Sequence, residues 1–489
     1  MPERRVVITG IGPLTPIGTG IDAFWTGLRS GRSAVRRVTR FDPSPFRSHV
    51  AAEVPGFDPA EWVGPKRAKR LDRCSQFTLA AARLALTDSG VELDEEDLDR
   101  VGAMMGTALG GVAFGEHEHE KYLAGGTKAV DPGLALTVFV GASSCNLAIE
   151  LGITGPNITN GMSCASGAIA IGEAFRSIRL GDADVMLAGG AEAPLSPLTF
   201  GAFAIIRAMS TRNDDPETAS RPFDRGRDGF VMGEGATVLV LEERDRALAR
   251  GARPYAELVG YGLTNDAHHM TAPRPDGSQA ARAMRLALGS AAVPGEAVGY
   301  VNAHGSSTPL NDPTESMAIR QVLGRHADDV RVSGTKGYYG HALGASGAFE
   351  AAICALAARR GWLPPSVNLF DPDPACDLDY VRGSGVDEEA EFPLQYQMEH
   401  LVQKVIAAGK VPVVPHVPWS DQKLEEGPPL NQQIDALYQS YPEILPGPDL
   451  WQAFENRLDL IPRGDVHPNA EGMELLRVEW SKVIAAAAP

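Results

Sequence analysis

The sequence predicts an α/β protein built from at least two packed units. Short apolar runs alternate with segments of helical apolar spacing up to about residue 370, as expected when the strands are buried. The chain has 489 residues, more than one hydrophobic core usually serves. Hydrophobic residues make up 44% of the chain, which favours globular domains over disorder.

The first half is predicted to contain five strands. Each is a short apolar run that ends at a glycine, a polar residue or a charge, which is typical of a buried strand. In chain order the runs are "RRVVITG", "VGAMMGT", "PNITNG", "ADVMLAGG" and "ATVLVLEE". The segment "IAIGEAFRSIRLG" has the apolar spacing of a helix.

A second half begins after "RALARGARP". Its predicted strands are "YAELVGYG", "VGYVNAHG" and "VRVSGTK", and the similarity between "VVITGIG" and "ELVGYG" hints at a duplication. We expect the two halves to span residues 1–250 and 251–386.

The composition changes after about residue 386. Three glutamines precede this point and eight follow it, and three of the six tryptophans also follow it. The junction lies in the glycine-rich and acidic stretch "RGSGVDEEAEFPLQYQ". These observations predict a third segment over residues 387–489, although an acidic loop inside one domain would have a similar composition.

Composition and charge exclude several functions. A net charge of −17 disfavours nucleic acid and anionic membranes as partners, and no apolar stretch is long enough to span a membrane. Gly and Pro interrupt the apolar run near the N-terminus, unlike in a signal peptide. Five cysteines without a C-x-x-C pair argue against a disulfide framework or a zinc cluster, and predict a reducing cytoplasm.

Cys164 in "GMSCASGA" is a candidate nucleophile. At a helix start, unpaired N–H groups and the positive helix end would stabilise its thiolate and lower its pKa. The small residues at 165–168 would let a substrate approach closely. The alternative is a small buried residue, which is a common role for a free cysteine.

Two histidines follow predicted strands in the second half. His304 lies in "VNAHGSSTPLNDPTE" and His341 lies in "SGTKGYYGHALGASGA". Such strand ends are where α/β proteins collect catalytic groups. With Cys164, the two imidazoles suit thioester chemistry, in which Cys attacks and the rings hydrogen-bond an enolate or carbonyl oxygen. Lys336 and Glu315 could form an ion pair that positions these loops, or a surface pair of little consequence.

Four motifs together resemble the β-ketoacyl-acyl-carrier-protein synthases of the type II elongating kind. They are "GMSCASGA", "RPFDRGRDGFVMGEGA", "NAHGSSTPLNDPTE" and "SGTKGYYGHALGASGA", and the similarity extends over about residues 4–381. The resemblance implies a thiolase-like fold, with two related α/β halves in a five-layered αβαβα arrangement, and a homodimer.

The resemblance also implies an activity and the residues that perform it. Cys164 would take the acyl chain from its carrier, while His304 and His341 would bind malonyl-carrier and support its decarboxylation. Lys336 would orient the His341 loop, with Glu315 as its partner. No metal or organic cofactor is expected, and the G-x-G-x-x-G cradle of nucleotide-binding proteins is absent from the sequence.

An acidic acyl carrier protein is the expected partner. In this family it docks on basic residues, so the resemblance gives Lys69 and Arg70 in "PKRAKRLDR", and Arg207 in "RAMSTRND", a docking role; a solvated helix face is the alternative for the charge run. Segment "GTALGGVAFGE" resembles the lining of the acyl pocket, and Leu109 is predicted to limit chain length.

The chain departs from the family pattern at its end. The closing strand and its N-S-F-G-F-G-G-x-N loop, which contributes an oxyanion donor in the family, are not found in the sequence. We therefore expect a fold that lacks its usual last strand and ends in a C-terminal α/β segment. A non-catalytic partner subunit and an inactive chimera are the alternatives to a working synthase.

The tail has its own resemblance. "GPDLWQAF" and "GDVHPNAEGMELLRVEWSKVIA" are similar to the closing portion of SGNH/GDSL-type hydrolases, which implies that His467 is a general base, with Asp465 as the nearest acid. The Gly-Asp-Ser and G-x-N-D blocks of that family are absent from the sequence. A serine ester hydrolase and an appended packing module are the two alternatives for residues 387–489.

Overall fold

The computed structural model describes residues 4–387 and, beyond them, the strand residues 413–414 and 445–446. Residues up to Asp387 belong to one compact unit. In the rest of the chain, Val413–Val414 and Leu445–Pro446 pair as short parallel strands. No helix among the described residues is long and apolar enough to cross a membrane.

The compact unit contains fifteen strands. In chain order they are β1 (Val6–Thr15), β2 (Gly18–Thr19), β3 (Arg36–Arg37), β4 (Val50–Ala52), β5 (Val101–Gly106), β6 (Asn157–Asn160), β7 (Val185–Glu192), β8 (Met232–Gly233), β9 (Gly235–Glu243), β10 (Ala256–Leu258), β11 (Tyr300–Asn302), β12 (Arg331–Ser333), β13 (Trp362–Leu363), β14 (Asp379–Tyr380) and β15 (Val386–Asp387). All eight strands predicted from the sequence are among them.

Fourteen α-helices lie between these strands. They are α1 (Ile21–Arg29), α2 (Pro59–Val63), α3 (Pro65–Ala68), α4 (Arg73–Ser89), α5 (Val112–Gly125), α6 (Leu134–Thr137), α7 (Ala142–Leu151), α8 (Ser166–Leu180), α9 (Pro197–Ile205), α10 (Arg244–Ala249), α11 (Ser278–Ala291), α12 (Asn311–Leu323), α13 (Lys336–Tyr339) and α14 (Ser346–Arg360). The predicted helix after Cys164 is α8.

A large sheet forms the centre of the first half. Its strand order is β10-β1-β9-β7-β5-β6, with β2 paired to β1. Strands β5, β6 and β7 are parallel, whereas β9 is antiparallel to both β1 and β7. Every residue of β1, β5 and β7 is buried, which requires apolar cover on both faces of the sheet.

Helices supply that cover. One face packs on α4 and α7 through residues such as Phe77, Leu79 and Leu147. The other packs on α8 and α14 through residues such as Phe175, Ile178 and Phe349. The large sheet is therefore the second layer of a stack whose middle layer is the α8/α14 pair.

A smaller parallel sheet, β11-β12-β14, belongs to the second half. Ile319 and Leu323 of α12 pack in one cluster with Val332 of β12 and Tyr380 of β14. Helix α11 lies beside α12. The layers thus follow the order helix, sheet, helix, sheet, helix, which is the predicted αβαβα arrangement.

Helices α8 and α14 are the counterparts of each other in the two halves. Each has 15 residues, follows a single 3₁₀ turn and ends at a left-handed glycine. The 3₁₀ turn and first residues read "CASGA" from Cys164 and "GASGA" from Gly344. This repeat is clearer evidence of a duplication than the similarity between "VVITGIG" and "ELVGYG" is.

The predicted strand "YAELVGYG" is shorter in the structure, where β10 ends at Leu258. Its partner β1 begins opposite, because Val6 pairs with Leu258. Beyond that point residues 259–266 form no strand. A strand extends only while a neighbour supplies hydrogen-bond partners, and none among the described residues does so here.

Candidate active site

Cys164 lies at the junction between a strand and a helix, as predicted. Strand β6 ends at Asn160, and Cys164 occupies the 3₁₀ turn Ser163–Ala165 that leads into α8. Ser163 has a φ of 50°, a left-handed conformation that costs a non-glycine residue of order 1 kcal/mol or more. The sharp turn presents the half-buried thiol at the end of the large sheet.

Both predicted histidines lie beside this thiol. Nε2 of His341 is 3.0 Å from Sγ of Cys164, and the ring centroids of His304 and His341 are 5.2 Å apart. His304 follows β11, and His341 lies between α13 and the turn that starts α14. The fold thus brings together three residues that are up to 177 positions apart in the sequence.

Lys336 is fully buried; its side chain contacts His304, and its backbone oxygen accepts a hydrogen bond from Gly340, beside His341, at 2.9 Å. Its ammonium donates to the backbone oxygen of His304 at 2.6 Å and lies 3.5 Å from Nδ1 of that ring. Its ion-pair partner is Glu350 on α14. The predicted pair with Glu315 was wrong, because Glu350 projects from the helix packed beneath the site and is closer to the ammonium.

Glu315 has a different role in the structure. Its carboxylate accepts hydrogen bonds from the backbone N–H groups of His304 and Gly305, at 2.6 and 2.8 Å. Asn311 donates to the same carboxylate at 3.3 Å. Glu315 therefore fixes the backbone of the loop that carries His304, from the first turns of α12.

The acid–base state of the site follows from burial. Burial lowers the pKa values of His304 and His341 well below 6.5, and the Lys336 ammonium lowers them further, so both rings are neutral at pH 7. Burial also raises the pKa of Cys164 to about 11, and Lys336 offsets only part of this effect. Burial therefore opposes the lowered cysteine pKa that the helix start predicts, because desolvation of the thiolate outweighs the favourable charges.

Three residues of the site were not anticipated from the sequence. Ser346 holds Nδ1 of His341 at 2.9 Å through its Oγ, and Glu350 pairs with Lys336. Glu192 is fully buried and accepts from the backbone N–H groups of Ala108 and Gly344, at 2.6 and 2.9 Å. The repeat "CASGA"/"GASGA" could have drawn attention to Ser346, whereas no local pattern marks the two glutamates.

Gly167, one of the small residues at 165–168, has a packing role in the structure. A Cβ atom on Gly167 would lie 2.8 Å from the oxygen of Gly344, and one on Gly347 would lie 2.7 Å from the nitrogen of Ala168. Both glycines therefore allow the close crossing of α8 and α14.

Leu109 lies in an apolar cluster with the thiol. The cluster contains Cys164, Phe200, Phe203 and Leu343, and Leu109 is half-buried within it. The Leu109 backbone N–H donates to Glu192 at 3.1 Å, which fixes the segment that follows β5. The arrangement places an apolar wall next to the candidate nucleophile.

The basic run 65–73 divides into two parts. Arg67 binds Asn146 and Glu150, and Arg73 forms a two-pronged pair with the buried Glu234. Lys69 and Arg70 are exposed and form no ion pair with the described part of the chain. They lie between α3 and α4 rather than on the face of one helix.

Arg207 is exposed at the end of α9 and has a left-handed φ of 58°. It lines a small cavity of about 110 Å³ together with Arg47, Met209 and Asp228.

His467 and Asp465, the candidate catalytic residues in the tail, lie outside the described residues.

Comparisons with known proteins identify the family of this chain. The family model described as "Beta-ketoacyl synthase, N-terminal domain" matches residues 3–247, and "Beta-ketoacyl synthase, C-terminal domain" matches residues 255–370. A relative from Synechocystis sp., named 3-oxoacyl-[acyl-carrier-protein] synthase 2, is 45% identical over 383 residues, covering 78% of this chain and 92% of the relative.

Two solved structures are similar over the same region. A beta-ketoacyl synthase from Burkholderia phymatum superposes with a TM-score of 0.73 at 40% identity, covering 79% of this chain and 94% of that one. A type II PKS acyl-carrier protein in complex with its ketosynthase gives a TM-score of 0.73 at 34% identity, covering 79% and 93%. The fold is thus the predicted thiolase-like one.

Proposed function

Because this chain belongs to the beta-ketoacyl synthase family, we propose that it elongates acyl chains by decarboxylating condensation. Malonyl-acyl-carrier protein supplies the carbon nucleophile, and an acyl chain held on Cys164 is the acceptor. The product is a 3-oxoacyl-carrier protein. The observation that carries the proposal is the 3.0 Å contact between Sγ of Cys164 and Nε2 of His341, with His304 beside it.

The first step is acyl transfer to Cys164. Since burial keeps the thiol protonated, the neutral His341 accepts its proton at Nε2 as sulfur attacks the thioester carbonyl. The new C–S bond forms to Cys164 and the bond to the carrier sulfur breaks. His341 then returns the proton to the leaving thiolate. In this tautomer Nδ1–H donates to Oγ of Ser346.

The second step is decarboxylation of malonyl-carrier. Loss of CO₂ leaves an enolate, whose oxygen an imidazole N–H can stabilise. Lys336 donates toward Nδ1 of His304, so the proton of that ring resides on Nε2. The Ser346 hydroxyl can also donate, which lets His341 carry its proton on Nε2 in this step.

The third step is carbon–carbon bond formation. The enolate carbon attacks the acyl carbonyl on Cys164, the bond to Sγ breaks, and the thiolate takes the Nε2 proton of His341, which a proton from solvent then replaces. The scheme needs no metal or organic cofactor.

Leu109 is proposed to limit the length of the acyl chain, because it packs in the same cluster as Cys164.

The proposed partner is an acyl carrier protein that is loaded with the acyl or malonyl group. The exposed positive charges of Lys69, Arg70 and Arg207 support docking of an acidic surface.

Charge reversal at Arg207 should raise KM for the carrier with little change in kcat. Charge reversal at Arg282, which is exposed on α11, should leave KM for the carrier unchanged. Equal effects of the two variants would argue against docking at Arg207.

A homodimer is proposed for the whole chain, and it is supported by the edge of the large sheet. Strand β6 has no neighbour on its outer side among the described residues, and Ile158 and Met162 are exposed there.

We place the protein in the cytoplasm, because all five cysteines are free.

The decisive experiment measures the intact mass of the chain after incubation with medium-chain acyl-carrier protein. A mass gain equal to one acyl group should appear in the native chain and in Cys145→Ala, and should be lost in Cys164→Ala. Addition of malonyl-carrier should then release the 3-oxoacyl product.

A Leu109→Trp variant should accept only shorter acyl chains.

The other outcomes are informative as well. An adduct that malonyl-carrier cannot discharge would show that the missing closing loop prevents condensation. No adduct, in a chain that melts cooperatively and still binds the carrier, would favour a non-catalytic partner subunit.

A further inference from the structure

The three reacting side chains have the composition and spacing of an open metal site. One atom each from Cys164, His304 and His341 can be chosen so that all three lie within 4.8 Å of one another. This is the one such group of three within the described residues. We propose that these residues bind a zinc ion, which would hold the site in a blocked state.

The ligand chemistry matches zinc. A thiolate and two imidazoles are its preferred donors, and three protein ligands with an open fourth position occur in known zinc sites. Alkaline-earth ions prefer carboxylate and carbonyl oxygens, so magnesium and calcium are not expected to bind here. The fourth position would hold water.

The geometry requires only small movements. With Zn–S of about 2.3 Å and Zn–N of about 2.0 to 2.1 Å, tetrahedral ligand atoms lie about 3.3 to 3.6 Å apart. The present contact between Sγ of Cys164 and Nε2 of His341 is 3.0 Å, so it would open slightly. The widest separation, at most 4.8 Å, would close by up to about 1.5 Å.

Neighbouring groups orient the donors. Oγ of Ser346 binds Nδ1 of His341 at 2.9 Å, which leaves Nε2 directed at Cys164. Glu315 holds the backbone of His304. The ammonium of Lys336 is paired with Glu350, which offsets part of its charge near the bound ion.

Binding is an exchange without redox chemistry. The S–H bond of Cys164 breaks, its proton passes to the solvent and a Zn–S bond forms. The ion would then hold all three groups that the proposed reaction uses. The existence of the site does not depend on that reaction, so binding is measurable even in a chain that does not condense.

The test is spectroscopic and uses the full chain with Co²⁺ as the probe. Binding at Cys164 should give a thiolate-to-cobalt charge-transfer band and the visible bands of tetrahedral cobalt, and Zn²⁺ should abolish both. Cys164→Ser should lose the charge-transfer band and weaken zinc binding by about 100-fold or more, since even an outer-shell change costs roughly 10- to 100-fold. The exposed Cys145 is the matched control, and Cys145→Ser should keep the bands.

A second measurement needs no variant. Zn²⁺ should protect Cys164, but not Cys145, from alkylation by iodoacetamide, as mapped by peptide mass. Identical cobalt spectra in the native and Cys164→Ser chains, or unprotected alkylation of Cys164 at saturating zinc, would overturn the proposal. Failure of the acyl-transfer assay alone would not, because neither readout uses an acyl substrate.

Discussion

Lys336 shows how much of this site depends on one buried charge. The ammonium is fully buried, and its position is fixed by Glu350 and by the backbone oxygen and ring of His304. A buried charge without a partner is strongly unfavourable. Glu350 therefore stabilises the fold by pairing with this ammonium.

Glu350→Gln should destabilise the protein by about 3 kcal/mol, because it leaves the Lys336 ammonium without a counter-charge. Adding Lys336→Met should restore part of this loss, and chemical denaturation measures both effects. Glu315→Gln is the comparison, since its carboxylate binds backbone N–H groups and not the ammonium. Equal coupling of Lys336 to Glu315 and to Glu350 would contradict the assignment.

The alkylation rate of Cys164 should depend steeply on pH. With a pKa of about 11, the thiolate fraction rises about tenfold per pH unit and has not levelled off at pH 9. Iodoacetamide labelling, followed by peptide mass at several pH values, measures this rate. A plateau below pH 8 would instead indicate the stabilised thiolate that the helix start suggests.

At the scale of elements, the crossing of α8 and α14 determines the position of the site. Gly167 and Gly347 bring the two helix starts into contact. Cys164 precedes one of these helices, and His341 precedes the other. The 3.0 Å contact between them therefore depends on how closely the two helices approach.

Gly167→Ala should destabilise the protein by about 2 kcal/mol, because the new methyl group meets backbone atoms that cannot move easily. Gly289→Ala on α11 is the matched control, since a Cβ there has nothing within 4 Å. That change should instead stabilise the helix by up to about 1 kcal/mol. Thermal unfolding of both variants checks the contrast, and a neutral Gly167→Ala would show that the helices can separate.

At the scale of the whole molecule, the large sheet ends in a strand that has no outer neighbour among the described residues. Strand β6 is its last strand, and Ile158 on that strand is 54% exposed. Exposed apolar side chains along an unpaired strand favour association with another sheet edge. The proposed homodimer would cover them.

Ile158→Asp should therefore shift the protein from dimer to monomer, because a carboxylate would be buried without a partner in the interface. Sedimentation velocity measures the change in mass. Leu248→Asp is the control, since Leu248 is also partly exposed but lies on α10, which packs on β1 and β9 away from β6. A native chain that sediments as a monomer would refute the dimer.

Local sequence patterns predicted eight of the strands and the Cys-His-His set, and the layered fold was implied by the resemblance of four motifs to a known family. A buried strand appears in the sequence as a short apolar run, such as residues 185–192, and the helix after Cys164 appears as apolar residues at helical spacing. Both features can therefore be predicted from the local sequence. The point at which β10 ends could not be predicted, because it depends on where its partner β1 begins.

Only the tertiary structure decided the partner of Lys336, the protonation of Cys164 and the use of Gly167. Each depends on atoms that folding brings together from distant positions: Glu350 beneath the ammonium, the apolar surroundings of the thiol, and the backbone of Gly344 against α8. Charge pairing and desolvation are set by distance and burial in space. A pattern along the chain specifies which residues can interact, and the packing of the layers selects which of them do.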